Sequence, residues 1–567
     1  MQLSENSSYQ TKEYIFKEWL GKKKHILYPL LTLGIIFFIY NIFSIKVHTW
    51  ESYYYSGSIN HFIPVKDMAP PGQNLPIPYD DLICIYYTQH PALYFLVYLI
   101  HYTLFNEINP VHITQYLNIL FGVFGLFGIY LILKKIFNNT LIACQGVFLM
   151  AWVDVYWYQS LSGEVYIAAF SFLSISMYFL LKSGNDNERS HSFFFMCIFY
   201  GIAVCFHFYA LFFGLVITVD IVNNSNKFSL FFKKFFVFLV ISALFFLAAY
   251  VVPYFLLTSI STFKELITLL FIHSKIWGIW QIPDYLMPIE ILYSIGIGFK
   301  HILYAIFSGN NLYSITLRFI FGITIVIQLM NYFIKASKNR VSNLCLLWFF
   351  TYFITLTCFI HVPSVNDNWC LCIFPLILFF FYRCKFHLRD RKGKTILWII
   401  IVNLFFINGT ADIFPKTKVS EKEYFIAKDK DKFFSEYSKI LFMGNHNIFI
   451  QAWYVFYKNK LSADSLSYIH PPYEYPHLFK YKKDLLRNVT KNLKKNKKML
   501  LISAENKKWI RFTISLLRSS GYSIQPVLTK NLIIDPKTFK VSLGIIEEKV
   551  QLRYIAYSII KANDTTD

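Results

Sequence analysis

Two acidic residues and one histidine stand in short polar stretches beside long apolar runs, where they could act on the head group of a lipid. Glu51 follows the first apolar run within the sequence Trp-Glu-Ser-Tyr-Tyr, His90 precedes a second run within Gln-His-Pro, and Glu164 precedes a later one. A carboxylate at the level of a membrane head group can accept the proton of an attacking hydroxyl group. We therefore predict Glu51 as a general base, with Glu164 and His90 positioning the reactants.

A second set of candidates is basic and suits a phosphate group, because cationic side chains and N–H donors bind phosphate oxygens. His207 stands at a polar break between two apolar runs, and six further residues lie in or near a long segment after it: Lys264, His273, Lys275, Lys300, His301 and Arg318. Arg318 lies inside an apolar run, where an unpaired charge is costly. We predict that this set binds substrate.

Each of these residues also has an ordinary structural explanation. Glu51 could be a solvated acid at a helix end, and Glu164 could stabilise the positive N-terminus of the helix that follows it. His90 could simply begin a helix, His207 could fill a polar kink, and Arg318 could extend its side chain to the membrane surface. The sequence leaves these alternatives open.

The composition predicts a polytopic membrane protein. Of the 567 residues, 55% are hydrophobic and 20% aromatic, and the mean hydropathy is +0.42, well above the values of soluble domains. The formal net charge of +22 does not indicate a nucleic-acid partner, because the basic residues cluster between apolar runs and in the last quarter of the chain. No metal-ligand spacing occurs, and a divalent cation on Asp67, Asp80 or Asp81 is the one cofactor left open.

Eleven apolar runs are about as long as a bilayer crossing requires, or slightly shorter. The predicted spans are 26–45, 113–133, 140–158, 165–182, 192–206, 207–222, 235–257, 313–334, 343–361, 370–383 and 395–412. Two further apolar segments are predicted to lie in the membrane interface. Segment 92–105 is too short to cross, and segment 289–307 is interrupted by Gly296 and Gly298.

The basic clusters determine the predicted orientation. When 92–105 is not counted as a span, every basic cluster between spans falls on the same side as the N-terminal lysines, which is the cytoplasmic side. We therefore predict a cytoplasmic N-terminus at 1–24, a transmembrane module at 25–414 with its first outer loop at 46–112, and a soluble outer-face domain at 415–567. Short β-like runs at 439–443, 499–503 and 524–528 alternate there with helix-like runs at 448–457 and 507–519, which predicts an α/β domain.

Four short elements resemble those of the GT-C membrane glycosyltransferases, in the group of protein O-mannosyltransferases and lipid A aminoarabinose transferases. The elements are WESYY at 50–54, QHPALYF at 89–95, the stretch 157–169 around Glu164, and the stretch 201–211 around His207. They occur in the family's order over roughly residues 25–225. The departures are Ser52 in place of a second acid, Ala92 in place of a second proline, and the lack of an arginine after Glu164.

The resemblance implies a GT-C bundle of about 11 transmembrane helices with a C-terminal α/β domain on the outer face. It implies an inverting transfer of a sugar from a polyprenyl-phosphate donor to a lipid, glycan or protein acceptor, with Glu51 and Glu164 as the two acidic sites. The expected location is a bacterial plasma membrane, with the endoplasmic reticulum as the alternative. Two other functions stay open: a flippase for a lipid-linked sugar, and a non-catalytic anchor whose α/β domain binds a partner.

Overall fold

The computed structural model describes most of the apolar part of the chain and five strands and two helices near its C-terminus. The described residues are 23, 25–45, 56, 59, 91–163, 165–183, 189–225, 227–257, 262, 264, 288–309, 311–334, 339–359, 370–385, 387–414, 417, 440–443, 466–469, 478–493, 499–503, 507–534 and 550–561.

Nine helices are described in the first half of the bundle. They are α1 (His25–Ile42), α2 (Pro91–Thr103), α3 (Pro110–Phe137), α4 (Thr140–Ala151), α5 (Asp154–Leu161), α6 (Tyr166–Lys182), α7 (Arg189–Phe206), α8 (Phe213–Asn223) and α9 (Phe228–Phe246). A 3-10 helix, Phe208–Phe212, joins α7 to α8, and α9 continues through a π turn, Leu247–Val251, into Val252–Leu257.

In the second half, the part that the structure describes contains five helices. They are α10 (Pro288–Ile306), α11 (Leu312–Ile334), α12 (Arg340–Ile354), α13 (Cys370–Arg383) and α14 (Arg391–Asn408). Helices α12 and α14 each end in a π turn, Thr355–Phe359 and Gly409–Ile413.

The chain is an integral membrane protein with several spans, as predicted. Among the described residues, six helices are long and apolar enough to cross a membrane, and a seventh span results if α4 and α5 count as one. Shorter apolar helices account for the other predicted spans, so each of the eleven has a helical counterpart. Helix α9 begins seven residues before the predicted start of its span. The helix thus includes Lys233 and Lys234, and the Lys234 ammonium lies 5.9 Å from the ring centre of Phe193.

The predicted single span at 140–158 is broken. Helices α4 and α5 meet at an angle of 72° around Trp152 and Val153. The Trp152 ring contacts Tyr40, Trp157 and Phe405 with ring centres 4.8 to 6.2 Å apart. Burial of these rings stabilises the bend, which turns α5 towards the polar stretch that ends at Glu164.

Helices α3 and α6 pack closely because small residues face each other. A Cβ atom on Gly125 would lie 2.9 Å from the Ser171 hydroxyl oxygen, and one on Gly128 would overlap with Ser174. Ser174 donates a 3.2 Å hydrogen bond to the carbonyl of Gly125. This close approach places the N-terminus of α6, next to Glu164, against the first turns of α3.

The described part of the C-terminal region is α/β. It contains β1 (Ile440–Met443), β2 (Leu466–Ile469), α15 (Leu478–Leu493), β3 (Met499–Ser503), α16 (Lys507–Ser519), β4 (Tyr522–Ile534) and β5 (Val550–Lys561). The strand order is β2-β1-β3-β5-β4, with β1 parallel to β2 and β3, and β5 antiparallel to β3 and β4. The predicted runs at 439–443, 499–503, 507–519 and 524–528 match observed elements, and 448–457 lies outside the described residues.

The two predicted interfacial segments are both helices. Helix α2 covers 92–105 except for its last two residues, and α10 covers 289–307 except for its last one. Helix α10 continues without a break through Gly296 and Gly298.

Candidate active site

Helix α2 is tied to the residue that precedes Glu164. The hydroxyl of Tyr94, which is fully buried, donates a 2.9 Å hydrogen bond to the carbonyl of Gly163. Tyr94 belongs to the second sequence element, at 89–95, and Gly163 to the third. The structure therefore brings these two elements into direct contact, although 69 residues separate them.

The amide of Gln115 ties the end of the first span to the same place. Its nitrogen donates to the carbonyl of Ile45 at 2.9 Å and to the carbonyl of Leu161 at 2.8 Å. One turn further along α3, Asn118 donates to the carbonyl of Ser162 at 2.7 Å. The chain six residues before Glu51 and the chain three residues before Glu164 thus meet at one nitrogen atom.

The fourth element meets the third through stacked rings. His207 is fully buried and stacks on Tyr166 with ring centres 4.6 Å apart and an interplanar angle of 28°. Its Nδ1 accepts a 3.1 Å hydrogen bond from the backbone N–H of Tyr209. His207 thereby caps the 3-10 helix that joins α7 to α8, and Tyr166 lies two residues after Glu164.

A second group of hydrogen bonds holds the bend between α4 and α5. The Asn408 side chain is fully buried, and its nitrogen donates to the carbonyls of Trp152 at 2.7 Å and Ile306 at 2.8 Å. Its oxygen accepts from the N–H of Ser308 at 2.8 Å and from the Ser308 hydroxyl at 3.0 Å. Asn408 therefore joins three segments: the bend, the C-terminus of α10 and the C-terminus of α14.

Among the described basic candidates, Arg318 is buried and held by neighbouring groups, whereas Lys300 is exposed. Arg318 is buried; it donates to the carbonyl of Gly309, donates to that of Ser314 at 3.3 Å, and stacks on Tyr304 at 3.7 Å from the ring centre. These contacts hold the turn between α10 and α11. Lys300 lies exposed on α10, 5.7 Å from the Tyr304 ring centre.

The other candidates are distributed as follows. His301 is buried at 9% exposure, and Lys264 is exposed. Glu51, His90, Glu164, His273 and Lys275 lie outside the described residues, as do Asp67, Asp80 and Asp81. The described residues contain no group of three or more His, Cys, Asp or Glu side chains arranged for a metal ion.

Sequence reasoning missed the amide side chains that hold the site together. Gln115 and Asn118 lie three residues apart near the start of an otherwise apolar span, and Asn408 lies near the end of another. A buried amide must find hydrogen-bond partners, which makes such a residue inside a span a marker of a helix contact. The sequence shows these amide residues, but it does not show which carbonyl groups they bind.

The comparisons with known proteins decide the fold. No family model and no curated protein matches the sequence. The crystal structure of ArnT from Cupriavidus metallidurans bound to undecaprenyl phosphate superposes with a TM-score of 0.52 at 10% identity, and the match covers 94% of this chain and 98% of that one. The chain has the GT-C fold.

An oligosaccharyltransferase shows a weaker likeness. AglB from Archaeoglobus fulgidus, in complex with an inhibitory peptide and a dolichol-phosphate, matches with a TM-score of 0.49 at 12% identity over 85% of this chain and 70% of that one. The GT-C fold and its C-terminal α/β region agree with the fold that the four sequence elements imply.

Proposed function

We propose that this GT-C chain is a membrane glycosyltransferase that moves one sugar from a polyprenyl-phosphate donor to a lipid, glycan or protein acceptor on the outer face of the membrane. The observation that supports the proposal is that the second, third and fourth elements contact one another and that the end of the first span, at Ile45, is held beside them. A hydrogen bond joins Tyr94 of the second element to Gly163 of the third. A ring stack joins Tyr166 of the third to His207 of the fourth. Gln115 binds Ile45, which precedes the first element.

The reaction assigned to this place is a single displacement. The acceptor oxygen forms a bond to the anomeric carbon of the sugar, and the bond between that carbon and the phosphate oxygen breaks. Glu51 takes the proton of the acceptor hydroxyl, a contribution of about 10²–10⁴ in rate. The lipid phosphate leaves as an anion, and attack from the opposite face inverts the configuration. Glu164 and His90 orient acceptor and donor.

The donor assignment rests on the fold and on charge. The ArnT structure of the same fold contains undecaprenyl phosphate, and a polyprenyl chain requires an apolar surface open to the bilayer. Cationic groups would hold the phosphate as charge develops on it. Among the described candidates, Lys264 and Lys300 have exposed side chains, whereas Arg318 is held by backbone carbonyls. We assign phosphate binding to the lysines together with His273, Lys275 and His301.

The test compares lipid-linked glycans by mass spectrometry in cells that produce the wild-type chain, Glu51→Gln or Glu107→Gln. Glu107 is an exposed acid of the same predicted outer segment and serves as the matched control. We expect loss of the transferred sugar with Glu51→Gln, by about a hundredfold or more, and wild-type transfer with Glu107→Gln.

Full transfer by Glu51→Gln would remove Glu51 from the reaction. A chain that changes only the side of the membrane on which an unaltered lipid-linked sugar accumulates would instead be a flippase.

A further inference from the structure

The two described helices of the C-terminal region, α15 and α16, form one layer on one face of the sheet. Leu485 and Val489 of α15 and Ile510, Ile514 and Leu517 of α16 share a buried cluster with Met499, Leu501, Ile524 and Ile559 of the strands. Met499, Ile559 and Ile524 are paired in register across β3, β5 and β4 and lie on the same side of the sheet. The opposite sides of both helices therefore point away from the core together.

That outward surface is basic. Lys483 and Arg487 of α15 and Arg511 of α16 are exposed on it. Lys482 and Arg518 are exposed as well, at the edge of the core side. Lysines at 480 and 491 continue the spacing of Lys483 and Arg487 along the helix. Asp484 is the one acidic residue in the sequences of the two helices. Residues 478–519 hold thirteen Lys and Arg against two acidic residues, which gives half of the chain's formal net charge of +22.

An aromatic side chain lies within the same surface. Phe512 is 36% exposed, whereas Ile510, Ile514 and Leu517 of the same helix are buried. Arg511 is its direct neighbour in the chain. A cation beside an exposed aromatic ring suits a membrane interface, where the ring enters the head-group layer and the charge meets lipid phosphates. A soluble polyanion would make use of the charge alone.

The covalent connection to the bundle favours the same partner. The described part of α14 and its π turn end near residue 414, and β1 begins at Ile440. A connection of this length spans at most about 90 Å when fully extended. It keeps the basic surface at high effective concentration beside the bilayer, so contacts that are weak one by one become sufficient.

We propose that the outward surface of α15 and α16 docks on anionic lipid head groups, with Lys483, Arg487 and Arg511 contacting phosphates and Phe512 entering the interface. The docking holds the α/β region flat against the membrane. This docking does not depend on the proposed sugar transfer and would occur whatever reaction the bundle performs.

The test uses the full chain in nanodiscs and hydrogen exchange of peptides from 478–493 and 507–519. One disc type contains only phosphatidylcholine, and the other contains about 30% phosphatidylglycerol. We expect exchange in both helices to slow about tenfold in the anionic discs, and we expect 0.5 M salt to abolish the difference, because salt screens exposed charges over about 4–5 Å at that concentration. Exchange of the β3 peptide reports whether the region is folded.

Two variants separate charge from fold. The variant Lys483→Gln/Arg487→Gln/Arg511→Gln should lose the slowing, whereas Lys483→Arg/Arg487→Lys/Arg511→Lys should keep it. Arg518 is left unchanged because it donates a 3.2 Å hydrogen bond to the carbonyl of Ile524. Phe512→Ser should reduce the slowing by about half or more. Equal exchange in the two disc types, or slowing only when a soluble polyanion is added, overturns the proposal.

Discussion

The Tyr94 hydroxyl donates a 2.9 Å hydrogen bond to the carbonyl of Gly163, and this bond joins the helix after His90 to the residue before Glu164. Both ends are buried, so the carbonyl has no ready replacement from water. The bond therefore holds Gly163 against α2, and the bonds from Gln115 and Asn118 hold the two preceding residues against α3.

Tyr94→Phe removes that hydroxyl and nothing else. We expect a loss of about 1–3 kcal/mol, the usual cost of leaving a buried acceptor without a donor, and a fall in transfer of about tenfold. Tyr98→Phe on the same helix is the control, because the Tyr98 hydroxyl makes no hydrogen bond to the part of the chain that the structure describes. The measurements are the melting temperature and initial rates of transfer. Equal rates in the two variants would contradict the role given to Tyr94.

Gln115→Met keeps the length of the side chain and removes the donor that serves Ile45 and Leu161. Two buried carbonyls lose a partner, so we expect a larger effect than that of Tyr94→Phe, with transfer lowered by about tenfold to a hundredfold. Tyr116→Phe is the matched control, because Tyr116 is the next residue on α3 and its side chain is 59% exposed. A rate for Gln115→Met within twofold of wild type would show that the two flanks are held by other contacts.

Variants of His207 separate a positioning residue from one that contacts substrate. Asparagine keeps an acceptor for the Tyr209 N–H, and phenylalanine keeps a ring against Tyr166, whereas alanine keeps neither. Loss of the cap costs about 0.5–2 kcal/mol and loss of the ring pair about 0.5–1.5 kcal/mol. We expect His207→Asn and His207→Phe to retain more activity than His207→Ala, with melting temperatures in the same order.

Three variants of His207 that are equally inactive, with melting temperatures unchanged, would indicate a direct contact between His207 and the substrate.

Asn408→Leu tests the group that holds the bend between α4 and α5. The change removes four buried hydrogen bonds to Trp152, Ile306 and Ser308. We expect a clear fall in melting temperature and loss of most transfer, because α5 leads directly to Glu164. Asn403→Leu on the same helix is the control, since the contacts of Asn403 are exposed. Similar melting temperatures for the two variants would contradict the role of Asn408 in holding the bend.

The ion pair between Asp220 and Arg340 predicts an effect on stability without an effect on the reaction. Arg340 donates to both carboxylate oxygens at 2.8 Å and to the carbonyl of Leu180 at 2.9 Å, while the Asp220 side chain is 7% exposed. Breaking such a pair from one side leaves a buried group without its partner. Because the Arg340 side chain is 29% exposed, we expect Asp220→Asn to cost about 1–3 kcal/mol, less than a fully buried pair would.

Asp390→Asn, at an exposed helix N-terminus, is the control and should change stability by less than about 0.5 kcal/mol. Transfer measured well below the melting temperature should be unchanged in both variants. A double-mutant cycle with Arg340→Met then gives the energy of the pair itself.

The spans could be predicted from the sequence because lipid requires long apolar helices, and such runs are directly readable. The bend at Trp152 could not, because neither proline nor glycine marks it; it exists through ring packing and the distant Asn408. Strand β2 was missed because a strand of four residues carries little pattern of its own and is stabilised by its neighbour in the sheet. Helix α15 and strand β5 were missed although their sequences carry readable helical and strand patterns.

The polar stretches of the candidate site could be predicted from the sequence, but the hydrogen bonds that join them could not. The polar stretches around Glu51, His90, Glu164 and His207 stand out against an apolar background. That Gln115 would join two of them could not be read from spacing, since its partners are backbone carbonyls that any residue supplies. Sequence thus shows which residues are chemically suited, whereas the folded chain shows which of their neighbours meet.

The central claim is that Glu51 and Glu164 share one site, and a cross-link between them tests it most directly. Glu51→Cys/Glu164→Cys in the full chain is treated in membranes with a bis-maleimide spacer of about 8 Å, and Glu51→Cys/Lys182→Cys is treated in parallel. Lys182 ends α6, which carries it about 25 Å from the Glu164 end of that helix. The account predicts a cross-link for the first pair and none for the second. Absence of the first, or formation of the second, would contradict it.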